Sequence, residues 1–106
     1  MSIPVAAEEL AATLADHPWG YLVTVGADGA AHMVALPTRW ESGALVAEAG
    51  RGTRANIAER AEVTWAFPGA DGTVYSLIVD GTAEVVDGVI RVQPRSAVLH
   101  RPAIRP

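Results

Sequence analysis

The chain has 106 residues, no cysteine, a net charge of −4 and a mean hydropathy of +0.22. The lack of cysteine excludes disulfides, thiolate metal sites and thiol nucleophiles. The negative charge argues against a nucleic-acid footprint, which needs a basic stripe. No apolar run approaches the roughly 20 residues that cross a bilayer, and the N-terminus shows no secretion signal. We therefore expect one cytoplasmic domain over residues 1–106, with neither a nucleic-acid nor a membrane partner.

The apolar content predicts a partner of another kind. Hydrophobic residues make up 50% of the chain, which is rich for a small soluble monomer. Such an excess indicates an apolar face that is covered by a second copy of the chain. We therefore expect a homodimer, with Trp40 or Trp65 near its interface.

The first element in the chain is a predicted amphipathic helix over residues 5–16. Its apolar residues, Leu10 and Leu14 among them, recur at helical spacing. Pro18 ends this helix. His17, next to that proline, is interpreted as a helix-end residue rather than a metal ligand.

From residue 20 onward the pattern becomes extended. Six strands are predicted, at residues 20–26, 30–38, 44–48, 63–67, 73–86 and 89–92. The turns between them carry glycine after a small polar residue, as hairpins do. Asp80 and Gly81 interrupt the longest run, and the glycine favours a bulge or a barrel corner there, with a second hairpin turn as the alternative. Residues 94–100 are predicted to form a last short helix.

Strands joined by tight turns pair antiparallel, and a small antiparallel sheet that bends at a glycine tends to close. The sequence therefore predicts a mainly β fold with short helices: a six-stranded antiparallel split β-barrel with one helix inserted between strands.

The inserted helix has a notable start, Gly50-Arg51-Gly52-Thr53-Arg54. Thr53 is predicted as the N-cap, which makes Arg54 the first helical residue. Two arginines beside the positive end of a helix dipole are unfavourable by a few tenths of a kcal/mol each. A bound anion removes that cost, because free N–H groups and guanidinium groups both favour phosphate. The alternative is that both arginines are simply solvated.

Catalytic constellations are scarce in this sequence. His17, His32 and His100 are far apart and lack metal-ligand spacing, so we expect no metal site. The serines show no nucleophile-elbow pattern, and no Walker loop or dinucleotide fingerprint is present. No catalytic residue is assigned. If the protein does chemistry, a bound cofactor carries it.

Three stretches together resemble one known family: YLVTVGADGAAHMVALPT, then TRANI leading to Val63, and YSLIVDGTAEV. Their order and spacing, over roughly residues 8–100, are similar to the pyridoxamine 5'-phosphate oxidase-like split β-barrel proteins. The resemblance implies a homodimer that binds a flavin or deazaflavin at its interface. It also implies an oxidoreductase that transfers hydride through bound FMN to or from a small-molecule electron acceptor or donor.

The resemblance also implies site residues. The cofactor phosphate would lie against Thr53 and Arg54, with Arg51 or Gly52 beside them. Asn56 matches the asparagine usual in that helix and joins these candidate cofactor-binding residues, with fixing the loop as its alternative role. Two further residues, Pro37 and Thr38, would lie against the ring or the ribityl chain. Many members carry lysine where Thr53 stands, and this chain is short for the family.

Other functions stay open at this point. A deazaflavin-dependent reductase would need cations for a longer acidic tail, and the candidates are Arg39, Arg51, Arg54 and Arg101. A non-catalytic flavin- or haem-binding module is the second alternative, with His32 or His100 as the axial ligand of haem. The third is an empty barrel that acts as a dimeric interaction protein.

Overall fold

A computed structural model describes residues 1–69 and 74–103 of the chain. Its elements follow in chain order: β1 (Ser2–Pro4), α1 (Ala7–Leu14), β2 (Trp19–Val25), β3 (Ala31–Pro37), β4 (Arg39–Glu41), β5 (Ala44–Glu48), α2 (Arg51–Glu59), β6 (Glu62–Phe67), β7 (Ser76–Val86) and β8 (Val89–His100). The strands form one antiparallel sheet in the order β3-β2-β6-β7-β8-β5-β4, and β1 pairs with β8. The prediction of a mainly β fold with one helix inserted between strands is confirmed.

The strand count differs from the prediction, since the described residues contain eight strands instead of six. The two unpredicted strands, β1 and β4, have three residues each. Each pairs with a longer strand, β1 with the end of β8 and β4 with β5. Such short strands form because the edge of a longer strand offers them backbone hydrogen bonds. The residues of the short strands do not show by themselves that this edge is available.

The predicted helix at residues 94–100 is wrong, because those residues continue β8. Pro94 lies opposite Gly81, where the register of β7 and β8 shifts. The missing N–H of a proline is tolerated at such a bulge. The bulge predicted at Asp80 and Gly81 is therefore confirmed, and it lets β8 run on past Pro94. Residues 70–73 and 104–106 lie outside the described residues. The first residue of the predicted strand at residues 73–86 falls in the first of these ranges.

The core fills the concave side of the sheet and is closed by one side of each helix. Fully buried side chains on this side include Leu22, Trp65, Val79 and Ile90. Leu10 of α1 joins the same cluster. Trp65 is 0% exposed within a single chain, so of the two tryptophans expected near a dimer surface it has no exposed side chain to contribute, and the position of that surface stays a prediction. Trp40 is half-buried at the edge of the core.

Helix α1 is shorter than predicted and ends at Leu14 instead of residue 16, but His17 lies at the helix end as expected. The Thr13 carbonyl and the His17 Nδ1 are 2.7 Å apart, and His17 is buried against this helix end. The histidine thus satisfies a terminal carbonyl of α1. Neither helix in the described part of the chain is long and apolar enough to span a membrane.

Substitution by alanine should have opposite effects on stability at Gly81 and at Gly52. A Cβ on Gly81 would lie 2.6 Å from the backbone oxygen of Gln93, whereas a Cβ on Gly52 would meet nothing within 4 Å. We expect Gly81→Ala to lower the free energy of unfolding by about 1–3 kcal/mol through overpacking. Gly52→Ala, inside α2, should raise it by up to about 1 kcal/mol.

Urea denaturation of both variants measures these changes. Equal effects of the two substitutions would contradict the close approach of the strands at Gly81.

Candidate functional site

The start of α2 differs from the predicted one by three residues. The N-cap is Gly50, in an extended conformation, and Arg51 is the first helical residue. The prediction of Thr53 as N-cap is therefore wrong, and Arg54 is the fourth helical residue. Thr53 is buried, as is Ile57 four residues later. That spacing places both on the face of the helix that packs on the core. The Thr53 side chain is therefore buried against the core and does not cap the helix.

The backbone at this helix start offers free donors. The N–H of Arg54 bonds the Gly50 carbonyl at 3.1 Å and closes the first turn. The N–H groups of Arg51, Gly52 and Thr53 precede this bond and have no partner within the helix. Nothing lies within 4 Å of the position of a Cβ on Gly50 or on Gly52. An anion therefore has space to approach these donors.

The charges at the helix start are unbalanced. Arg51 is exposed and Arg54 is half-buried, and the first turn of α2 contains no acidic residue. Across residues 1–69 and 74–103, the ion pair that forms joins Arg39 to Glu41, so neither Arg51 nor Arg54 forms an ion pair with a carboxylate there. The predicted pair of arginines is thus present at the helix start, although each lies at a different position in the helix from the predicted one.

The β7–β8 turn forms one wall beside Arg54. A Cβ on Gly88 would lie 3.7 Å from the Arg54 Nη1. The Arg54 Nε also lies 3.4 Å from the Gly50 carbonyl oxygen. These contacts keep the Arg54 guanidinium close to the first turn of its own helix.

Asn56 faces the end of β2 and not the helix start. Its side-chain amide donates to the Thr24 hydroxyl at 3.1 Å, in a partly buried position. A Cβ on Gly26 would lie 3.2 Å from the Asn56 Oδ1, so the asparagine and the chain after β2 are in close contact. Asn56 therefore anchors α2 to the sheet.

Pro37 and Thr38 lie at the junction of β3 and β4. The Thr38 N–H donates to the Pro18 carbonyl at 3.2 Å, and the Thr38 hydroxyl lies 3.5 Å from the same oxygen. Pro37 is exposed. Together with Pro18, Trp19 and Leu36 it lines an open, mainly apolar cleft of about 320 Å³.

Strand β5 connects this junction to α2. Arg39, just after Thr38, pairs with Val46 of β5. The charge of Glu48, the last residue of β5, reaches Arg39 and helps to raise its pKa, although the main cause is the hydrogen bond and charge of Glu41. Helix α2 begins three residues after Glu48. The structure thus brings the β3–β4 junction and the helix start to the same end of β5.

Other predicted candidates lie apart from this region. Arg101 follows the far end of β8 and stacks over Tyr75, 5.4 Å from the ring centroid. His32 is exposed on β3, while the Nδ1 of His100 lies 3.0 Å from the Ser2 hydroxyl. No group of three or more metal-ligating side chains occurs in the part of the chain that the structure describes.

One feature of the surface was missed by the sequence reasoning. Trp19 and Tyr21 are each 38% exposed and Met33 is 64% exposed. They lie on the convex side of the sheet, on the paired strands β2 and β3. The signal was available, because β2 is apolar at nearly every position and its residues alternate between the two faces of the sheet.

The comparisons with known proteins agree with this fold. No family model matches the chain. Two uncharacterized proteins, Mb0449c of Mycobacterium bovis and MT0457 of Mycobacterium tuberculosis, are each 38% identical to it. Each alignment covers 91% of this chain and 80% of the relative.

Solved structures are similar at lower identity. A candidate pyridoxamine 5'-phosphate oxidase from Listeria innocua has a TM-score of 0.74 and 16% identity, with 88% of this chain and 96% of that chain covered. A FAD binding protein from Mycobacterium smegmatis has a TM-score of 0.66 and 21% identity, with 95% and 100% covered. An F420 reductase has a TM-score of 0.68 and 20% identity, with 80% and 93% covered. The chain therefore belongs to one family with the two mycobacterial proteins, and its fold is that of the pyridoxamine 5'-phosphate oxidase-like split barrels.

Proposed function

We propose that this protein is a homodimeric flavoprotein that binds FMN and acts as an oxidoreductase on a small molecule. The observation that carries the proposal is the start of α2, where free N–H groups lie beside two arginines that form no ion pair with a carboxylate of residues 1–69 or 74–103. Proteins of the same fold include a FAD binding protein and an F420 reductase, which supports a cofactor of the flavin type.

The helix start fits the phosphate end of such a cofactor. A dianionic phosphate can accept hydrogen bonds from the N–H groups of residues 51–53, and the helix dipole favours its charge. Arg51 and Arg54 can each add charge-assisted hydrogen bonds. Glycine at positions 50 and 52 leaves this approach open. Thr53 contributes its backbone N–H, because its side chain is buried.

The cleft beside Pro37 fits the flat, apolar part of the cofactor. Trp19 and Pro37 line it together with other apolar residues. These side chains can cover one face of a ring and exclude water from it. A bound flavin would supply hydride transfer, while the residues of this chain bind the phosphate and orient the ring. No residue of this chain is assigned as a general acid or base.

A deazaflavin is the second candidate, since an F420 reductase shares the fold. Its longer acidic tail calls for more cations than a single phosphate does. Of the four candidate arginines, Arg39 is bonded to Glu41 at 2.6 Å, and Arg101 lies beyond the far end of β8. Arg51 and Arg54 are left, which favours the shorter FMN.

The absorbance of the purified protein distinguishes these cofactors. A band at about 450 nm indicates flavin, one at about 420 nm deazaflavin, and a Soret band haem. A colourless protein that takes up none of them would favour the empty-barrel alternative.

The phosphate contact is tested by Arg51→Ala and Arg54→Ala. Charge-assisted hydrogen bonds contribute about 1.5–3 kcal/mol, so each change should weaken FMN binding roughly tenfold to a hundredfold. Without cofactor, the free energy of unfolding should stay equal or rise by a few tenths of a kcal/mol, because a positive charge leaves a positive helix end. Fluorescence titration and urea denaturation measure the two quantities.

Two controls accompany this experiment. Riboflavin lacks the phosphate and should bind wild type and variants equally. Arg95→Ala removes an exposed arginine that lies beside α1, and it should leave FMN affinity unchanged. If Arg54→Ala destabilises the cofactor-free protein and leaves FMN affinity intact, Arg54 is a structural residue and the phosphate site is wrong.

Asn56 should affect stability without affecting affinity. Asn56→Ala removes a partly buried hydrogen bond and leaves the Thr24 hydroxyl without a donor, so we expect a loss of about 1–2 kcal/mol in the free energy of unfolding. The folded fraction should bind FMN as wild type does, measured by titration well below the melting temperature. Glu59→Ala, at an exposed position of the same helix, is the control. Weaker FMN binding with unchanged stability would instead make Asn56 a cofactor contact.

The homodimer is supported by the exposed aromatic and apolar side chains on β2 and β3. A stable dimer buries about 1,200 Å² or more in total. We therefore expect a dimer at micromolar concentration in sedimentation velocity, with or without cofactor. A monomer at all concentrations would contradict both the interface and a cofactor site shared between subunits.

A further inference from the structure

The β7–β8 turn and the end of β5 meet at the start of α2. A Cβ on Gly88 would lie 3.7 Å from the Arg54 Nη1, and Asp87 precedes Gly88 in this turn. Glu48, the last residue of β5, pairs with Val89 just after the turn. The turn and the strand therefore each place one carboxylate at the edge of the candidate phosphate site.

Both carboxylates belong to residues close to Arg54. Consecutive Cα atoms are about 3.8 Å apart, so the Cα of Asp87 lies within about 9 Å of the Arg54 Nη1. Glu48 is two residues before Gly50, whose carbonyl oxygen lies 3.4 Å from the Arg54 Nε. Asp87 and Glu48 are exposed, and neither forms an ion pair within residues 1–69 and 74–103. Their negative charges can therefore act on a ligand that approaches the helix start.

The fold does not require a charge at either position. Asp87 and Gly88 have φ values of 52° and 79°, and a two-residue type I′ hairpin needs positive φ at both positions. Asparagine suits that backbone as well as aspartate does. Glu48 stands at the exposed end of its strand, where glutamine has the same shape. Neutral substitutes of matching shape can therefore separate the charge of these two residues from their place in the fold.

Distance decides which charges dominate for a single phosphate. In the proposed site the phosphate contacts Arg51, Arg54 and the free N–H groups directly, whereas the two carboxylates lie farther away in solvent. Coulomb interactions weaken with distance, and exposed charges are screened over about 8 Å at physiological ionic strength. The contacts at the helix start therefore outweigh the two carboxylates, and one terminal phosphate can bind.

A ligand that continues past its phosphate with more negative charge meets a different balance. Its further charges no longer contact the helix start, and along the β7–β8 turn or the end of β5 they pass Asp87 or Glu48. Arg39, the arginine nearest to the end of β5 after those of α2, is already paired with Glu41. Like charges brought together without a compensating cation oppose binding and discriminate between ligands.

We propose that Asp87 and Glu48 form a charge filter at the phosphate site, which admits a cofactor that ends in one phosphate and excludes one whose chain continues with carboxylates. The inference rests on the proposed function and deepens it, because it names the residues by which the site selects FMN over a deazaflavin with an acidic tail. The arginines supply the attraction, and the filter supplies the repulsion that makes the site specific.

Dissociation constants of FMN and of coenzyme F420, the deazaflavin with an acidic tail, test the proposal in fluorescence titrations. The wild type should bind FMN roughly tenfold more tightly or better. At low ionic strength Asp87→Asn and Glu48→Gln should each narrow this ratio about twofold to fivefold, and the double variant about tenfold. In 1 M salt, where charges are screened over about 3 Å, the variants should match the wild type within about twofold.

Glu59→Gln is the matched control for these substitutions. It neutralises an exposed carboxylate on the last residue of α2, about 12 Å along the helix from its start, and it should leave the ratio within about twofold of wild type. Riboflavin carries no phosphate and should bind the wild type and every variant equally. Urea denaturation should show that all variants are folded.

Three outcomes would overturn the filter and leave the phosphate site standing. A wild type that binds F420 as tightly as FMN does not select. A double variant that binds FMN with the wild-type ratio shows that the two carboxylates have no effect. An equal change in Glu59→Gln assigns the effect to the net charge of the protein. A wild type that binds neither cofactor rejects the phosphate site of the proposed function together with the filter.

Discussion

The close approach of β7 and β8 at Gly81 is the constraint on which the rest of the structure depends. A side chain there would meet the Gln93 backbone at 2.6 Å, so only glycine lets the two strands shift register and stay paired. The hairpin formed by β7 and β8 pairs with a different strand on each side of this shift. One half of β7 pairs with β6, and the turn-proximal half of β8 pairs with β5. One bent hairpin thus joins both parts of the split barrel.

That bend also positions the candidate site. The turn-proximal end of the hairpin carries Gly88, which lies beside Arg54, and it pairs with the end of β5 from which α2 starts. The Asn56–Thr24 hydrogen bond fixes α2 to β2 on the opposite side. The helix start therefore has its position set by contacts on two sides, while its first N–H groups remain free. An anion site needs this combination of rigid support and unused donors.

The features that were predicted correctly from the sequence are those with a local cause. Gly81 interrupts a long extended run, and a glycine in such a run predicts a bulge whichever strand lies beside it. The features that failed depend on tertiary partners. Pro94 normally breaks a strand, but it is tolerated because it faces the bulge at Gly81. Thr53 has the sequence signature of a cap, yet it is buried because the helix begins earlier, at a glycine cap that has no side chain to identify it. Strands β1 and β4 form only because β8 and β5 offer them edges.

The division of the convex surface connects the fold to the proposed function. Charged residues cover the half over β4 and β5, where Arg39, Glu41 and Arg91 contact one another or the local backbone. The half over β2 and β3 is apolar and includes the cleft beside Pro37. The β3–β4 junction lies between these two halves and close to the start of α2. In the proposed function, a ligand with a flat apolar ring and an anionic end would meet both kinds of surface at this boundary, and a second copy packed on the apolar half would shield the ring from water.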